Sequence, residues 1–176
     1  IKTATQSLGA TDPLTLQLRL SHAQALMVQR KHQLAFDETE ELLPLVEKRF
    51  GADHPRVMRL LGARVDLLKS LGRYDQAIAE GDRMWQTSAR VYGTASYDAL
   101  AMRADTAFVR CERGQTAIGL REVRQAHAIA VRAFGPDGDL TQGIRAGALT
   151  DCLIAARAYP EADRVLAGVD ADKLSR

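Results

Sequence analysis

Nowhere in this chain do apolar residues run on for the roughly 20 positions that a membrane helix needs. A basic start leading into a continuous apolar core, the mark of a secretory leader, is missing as well. Those two absences predict a cytoplasmic protein with no membrane contact. Aromatic residues make up only 5% of the sequence and prolines number five, which argues against a sheet-rich domain. There are two cysteines, Cys111 and Cys152, at a spacing that fits neither a CxxC pair nor a zinc site. They are expected as separate buried thiols in a reducing compartment. The formal charge of +2 is too small to predict nucleic-acid contact. Signatures of catalysis are lacking too. The chain has no GxxxxGK, no GxSxG and no HExxH. Its four histidines, His22, His32, His54 and His127, include no i,i+4 pair that could grip a metal from one helix. Ser21 and His22 are chain neighbours, which a helix points in different directions. The expectation is a protein that is not an enzyme and needs no cofactor and no metal.

Alanine, leucine and arginine are what the chain has in plenty, and all three enter helices at little cost. They also lean towards a bacterial source. A period organises them. Gly9, Gly51, Gly93 and Gly135 follow one another at steps of 42 residues, each after a large apolar residue: Leu8, Phe50, Tyr92 and Phe134. A second mark falls 21 residues after each, at Arg30, Gly72, Gly114 and Ala156. Each repeat therefore holds two segments of equal length. Leu16, Leu20, Ala23 and Met27 lie at helical spacing in the first segment, and Leu100, Ala104, Ala107 and Cys111 answer them two repeats later. Leu18, Leu60, Met102 and Ile144 form a column that is apolar in every repeat. The turn residues agree. Pro13 and Pro55 suit a first helical position, and Asp53 and Asp137 are placed to cap the helices that follow. His54 beside Asp53 reads as part of this punctuation, because its column elsewhere holds Asp12, Ser96 and Gly138.

Repeat 2 reads LLKSLGRYDQAIAEGDRMW, with a G-x-Y-x-x-A corner that resembles a tetratricopeptide repeat. Its small residue, Ala77, has counterparts in Ala35, Gly119 and, after a one-residue slip, Ala162. The 42-residue period and the aromatic-Gly-x-x-x-Pro link are similar to the kinesin light chain subclass, although the Asn-rich first helices of that subclass are absent. The resemblance implies an all-α fold, an α-α superhelix or solenoid of about four helical hairpins. The expected organisation is a single domain over 1–176, with repeats at about 9–50, 51–92, 93–134 and 135–168 and a tail over 169–176. Residues 1–8 align with 43–50, the end of a second helix, so the sequence is expected to be a piece of a longer protein.

Function follows from the resemblance only in outline. It implies a scaffold for protein binding, with a peptide or helix lying along a concave face lined by the first helix of each repeat. Those helices carry more Lys and Arg than Asp and Glu. Arg19, Arg103 and Arg145 share one column, and Arg59, Arg64 and Lys69 add to the middle, so these six form the candidate groove for an acidic partner. Trp85 is expected as a buried packing residue and Pro44 as the site of a kink in its helix. Alternative readings are a homodimer stacked through the repeat ends, or a regulatory segment of a multidomain bacterial kinase or transcription regulator.

Overall fold

A computed structural model describes residues 6–169. The expectations for residues 1–5 and for the polar tail over 170–176 lie outside the described residues. After a helical end over 6–8 the chain forms α1 (Pro13–Val28), α2 (His32–Phe50), α3 (Pro55–Ser70), α4 (Tyr74–Tyr92), α5 (Tyr97–Glu112) and α6 (Thr116–Phe134). There follow α7 (Asp139–Ile144), a π-helical turn (Arg145–Leu149), α8 (Thr150–Ala155) and α9 (Tyr159–Ala167). No strand occurs among the described residues.

The links between hairpins are built as the period predicts. Gly51 and Gly93 sit at φ +91° and +90°, the left-handed region that ends a helix without a Cβ penalty. Three residues after each link glycine comes the helix cap. Asp12 Oδ1 accepts from the Leu14 and Thr15 N–H groups at 2.9 and 3.4 Å, and His54 Nδ1 accepts from the Arg56 N–H at 3.1 Å. Ser96 Oγ accepts from Ala99 at 3.3 Å. The capping column is therefore Asp12, His54, Ser96 and Gly138, one residue later than the Asp53 and Asp137 expected to cap. A cap must have extended φ/ψ while its side chain folds back, and it is His54, at ψ 142°, that has that geometry. Each such side chain stabilises its helix by about 1 kcal/mol.

The chain separates into two compact units, residues 1–80 and 81–176, and the boundary falls inside α4. In the first unit α1, α2 and α3 bury Leu16, Phe36, Leu42, Val46, Leu60 and Leu68. In the second, Leu100, Ala104 and Ala107 of α5 pack with Val123 and Ala126 of α6 and with Leu140 and Ile144 of α7. The corner residues behave as small-residue contacts. Ala35 and Ala77 are fully buried. At Gly119 a Cβ would collide with the Cys111 Sγ and would lie 2.6 Å from the Ala107 carbonyl oxygen, so α5 and α6 approach as closely as a bare backbone allows. Pro44 does not end its helix. α2 runs on through it, with the ring exposed.

Two expectations about repeat 4 are corrected. Its first segment, expected like those of the other repeats to be one helix, is broken within 139–155. In repeats 1 to 3 the left-handed residue at the mid-repeat turn, Arg30, Gly72 or Gly114, comes 21 positions after the link glycine, whereas in repeat 4 it is Arg157, 22 after Gly135. One extra residue has to be absorbed, and a π-helical turn is how a helix absorbs one. The break centres on Gly147, at φ −95° and ψ −106°, and Thr150 Oγ1 donates to the Arg145 carbonyl across it at 2.7 Å. The second correction concerns the cysteines, which are not separate thiols. Cys111 and Cys152 are joined in a disulfide, their Cα atoms 5.3 Å apart. They lie 41 positions apart, a separation that only makes sense once two adjacent first helices are laid side by side.

Candidate functional site

The six candidate basic residues do not come together on one surface. The column Arg19, Arg103 and Arg145 turns towards the second helix of its own repeat. Arg19 Nε donates to Glu38 Oε1 at 2.6 Å and its Nη2 to Glu41 Oε2 at 2.7 Å. Burial opposes the charge on Arg19, and these two hydrogen bonds more than offset it, holding its pKa above the ordinary value. Arg103 Nη2 lies 3.1 Å from Glu122 Oε1, and Arg145 Nη1 donates to the Gly168 carbonyl at 2.7 Å. In repeat 2 the column holds Leu61. Arg64, one helical turn later, takes over and grips Glu80 with Nε at 2.9 and 3.0 Å and Nη2 at 2.7 Å. The guanidinium of Arg64, buried, also stacks 4.7 Å from the Phe36 ring centroid. Lys69 stands near Asp66, whose carboxyl burial holds above its ordinary pKa, with the Lys69 charge working the other way.

The signal for this in the sequence lies in its acids rather than in its arginines. Glu38, Glu80 and Glu122 form a column of their own at the 42-residue period, each facing an arginine of the preceding helix. The pattern is a staple inside the hairpin. Its densest form is in the second unit, where Arg110 joins Asp82 at 2.7 Å and Glu122 at 3.2 Å. Arg103 stands on the same two acids and covers the Trp85 ring at 4.3 Å from the centroid. Trp85 is half-buried rather than buried, and it walls an open cleft of about 420 Å³ together with Leu100, Arg103 and Ile129. Reversing the charge of Arg103 would place a third carboxylate beside Asp82 and Glu122, so that position reports on folding.

Arg59 is different. It is exposed and lines a groove between α1 and α3, whose apolar floor is Leu20, Met27, Leu60 and Ala63. Gln17 and Gln24 form one rim, and Arg56 and Arg59 the other. No acidic residue lines it, and Arg59 has no ion-pair partner among the described residues. Arg56, which the sequence reading did not single out, stacks 4.7 Å from the Phe50 ring centroid, and His54 stacks on that ring at 4.9 Å. The enclosed volume is about 40 Å³, room for a water or two. The groove therefore suits a chain lying along it better than a small molecule held inside it.

Among the described residues no three His, Cys, Asp or Glu side chains gather in a way that could hold a metal ion. No described helix is long and apolar enough to cross a membrane. One histidine has an altered proton affinity. Burial, with the Arg145 charge beside it, holds the pKa of His127 below its ordinary value, and its Nε2 is buried with no hydrogen-bond partner. The folded state thus takes up the His127 proton less readily than the unfolded chain. Stability from this group is complete above the unfolded pKa, about 6.5, and is lost as pH falls through that value towards the folded one. His127→Gln should flatten the decline in Tm between pH 7 and pH 5, and an unchanged pH profile in thermal melts would contradict this.

Comparison with solved structures places the fold. A kinesin light chain of Podosopora anserina with nearly identical TPR-like repeats superposes with a TM-score of 0.83, at 16% identity, over 95% of this chain and 79% of that one. Its Q17M form gives 0.84 at 17% identity, over 94% and 77%. BtubC (BKLC) from P. vanneervenii gives 0.75 at 15% identity, and the match takes in 93% of this chain but 65% of that one. No family model matches the chain, and no curated protein does. The likeness is one of fold, and it agrees with the period, the link glycines and the small corner residues: this chain has an all-α helical repeat fold like that of TPR-like structures.

Proposed function

We propose that the chain is a non-catalytic interaction module and that the groove between α1 and α3 holds an extended, acidic peptide segment of a partner protein. The TPR-like fold supports the general part, since helical repeats of this kind commonly serve as protein-binding scaffolds and generally carry no catalytic machinery. The observation that carries the specific part is the pairing of an apolar floor with two arginines on one rim and no carboxylate among the lining residues. Arginine forks at such a rim favour carboxylates, and the floor takes the apolar side chains between them. Of the six basic residues considered from sequence, Arg59 is the one this reading relies on, with Arg56 added. Arg19, Arg64 and Arg103 serve it indirectly by holding the hairpins in shape. No nucleic-acid role is proposed.

The test uses a dye-labelled peptide of alternating Leu and Glu as probe, read by fluorescence anisotropy. Arg59→Glu should weaken binding by about tenfold or more, in line with the loss of a charge-assisted contact and the gain of a repulsive one. Its melting temperature should stay that of the parent, because the side chain is exposed and unpaired. Equal affinity for the probe before and after the change would overturn the groove assignment. As to setting, the cytoplasmic location expected from sequence stands against the Cys111–Cys152 bond, which is of a kind that persists more readily in an oxidising compartment.

A further inference from the structure

The open cleft of about 420 Å³ beside Trp85 is lined by residues of α4, α5 and α6, all of them within the second unit. One column accounts for the space. Leu42 in repeat 1 and Met84 in repeat 2 fill a core-facing position of the second helix, and both are buried. In repeat 3 the same position is Ala126, which is buried too and forms the cleft floor with Leu100. What a leucine or methionine side chain would fill is left open there. Protein interiors seldom leave such space without an occupant. The volume also falls within the range of small-molecule sites, about 300–1,000 Å³.

We propose that this cleft binds a small, neutral, flat aromatic molecule that carries an amide or a hydroxyl group. The site is additional to the groove of the first unit and does not depend on it. Flatness follows from the walls. Trp85 supplies an aromatic one and Ile129 an aliphatic one, and a ring against the indole gains from offset or edge contact beyond the area it buries. Neutrality follows from the charges. Arg103 is the only ionisable residue in the lining, and it is answered by Glu122 at 3.1 Å and Asp82 at 3.8 Å. Arg110 stands against the same two acids. Two cations thus balance two anions, and a charged ligand would give up its hydration with no counter-charge left to receive it. The other polar groups of the lining, Thr94 and Gln125, are exposed and uncharged, and each can both donate and accept a hydrogen bond. They suit an amide or a hydroxyl rather than an ion.

Trp85 is the chain's single tryptophan, so its indole N–H gives one magnetic-resonance signal in an isotope-labelled sample. Unlabelled indoleacetamide, indoleacetate and tryptamine serve as probes, sharing a ring and differing in charge. Indoleacetamide should shift the Trp85 signal saturably, and the anion and the cation should bind at least about fivefold more weakly. Ala126→Met, the residue of that column in repeat 2, should weaken the amide about tenfold or more without lowering the melting temperature, because it fills space already open. Ile129→Thr keeps the space but removes an apolar wall, and should weaken the amide about threefold or more. It carries the test should Ala126→Met fail to fold. No saturable shift with any probe would overturn the site, and equal affinity for all three would overturn the ligand class. Binding unchanged in the variants would overturn its place in the cleft. A tryptophan-containing peptide that shifts the signal where the free amide does not would make the cleft a protein-docking surface instead.

Discussion

Ala77→Arg is expected to unfold the first unit or to lower its melting temperature by more than about 10 °C. Ala77 has no exposed surface and stands at the corner where the second helix of repeat 2 leaves its turn. Its counterpart in repeat 3, Gly119, shows how little room such a corner leaves, since even a methyl group would strike the backbone of the facing helix. A long side chain there must displace α3 from α4, which costs about 1–3 kcal/mol as overpacking. The guanidinium adds several kcal/mol more if it stays buried without a carboxylate to receive it. Glu80, the acid one turn further along α4, is already held by Arg64 through three hydrogen bonds. A total of about 5 kcal/mol corresponds to roughly 10–20 °C for a chain of this size. Ala77→Gly provides the measure of a change without bulk, at about 1 kcal/mol. Circular dichroism melts of the two variants against the parent make the comparison, and an unaltered melting temperature in Ala77→Arg would mean that the helix faces are assigned wrongly.

The corner could be placed from sequence because its cause is local and repeated. A glycine that must adopt positive φ, a proline that opens a helix and a small residue at a crossing each leave a mark in every repeat. Forty-two-residue columns then add those marks together. The fate of the arginines was not legible in the same way. A column of Arg19, Arg103 and Arg145 looks the same whether it faces solvent or reaches for its own hairpin. What decides is the acid 19 residues later, Glu38 for Arg19 and Glu122 for Arg103. A helical hairpin brings those positions level, so the pairing was present in the sequence, but only as a relation between two columns. In repeat 2 it was further disguised, since Leu61 fills the column and Arg64 reaches Glu80 from the next turn. His54 illustrates the opposite case. Its column already said helix start, and the only error was to give the capping to its neighbour Asp53, because aspartate caps more often than histidine. The π-helical turn left a one-residue slip at Tyr159 and Ala162 as its trace, which shows that repeat 4 is longer but not where the helix yields. Glycine at 143 and 147 offers two places, and the structure takes the second.

Reduction of the Cys111–Cys152 bond is expected to destabilise the second unit by about 4 kcal/mol, the chain-entropy value for a closed loop of about 40 residues. The bond joins α5 to α8, just beyond the π-helical turn, and both cysteines are buried. Leu140, Ile144 and Leu153 pack the first segment of repeat 4 into the core, but its second helix is held more lightly, with an exposed Arg124–Glu161 pair at 2.7 Å as its ion pair to α6. α9 is nine residues long and buries only Ala162, and the acid column that staples the first three hairpins has no member here, its place after the one-residue slip, position 165, being held by a valine. Releasing the bond should therefore loosen α8 and α9 first, leaving α5 and α6 held by their own ion pairs and by Gly119. Hydrogen exchange measured with and without a dithiol reductant should show protection falling over 139–167 well before it falls over 97–134. The stability loss itself is read from denaturant titrations, in which the reduced protein should have a lower midpoint in the second unit. Thiol titration of the untreated native chain should find no reactive cysteine until reductant and denaturant are both present. Two thiols reacting under native, non-reducing conditions would restore the separate buried thiols that the sequence suggested, and with them the simpler account of repeat 4 as a hairpin held by packing alone.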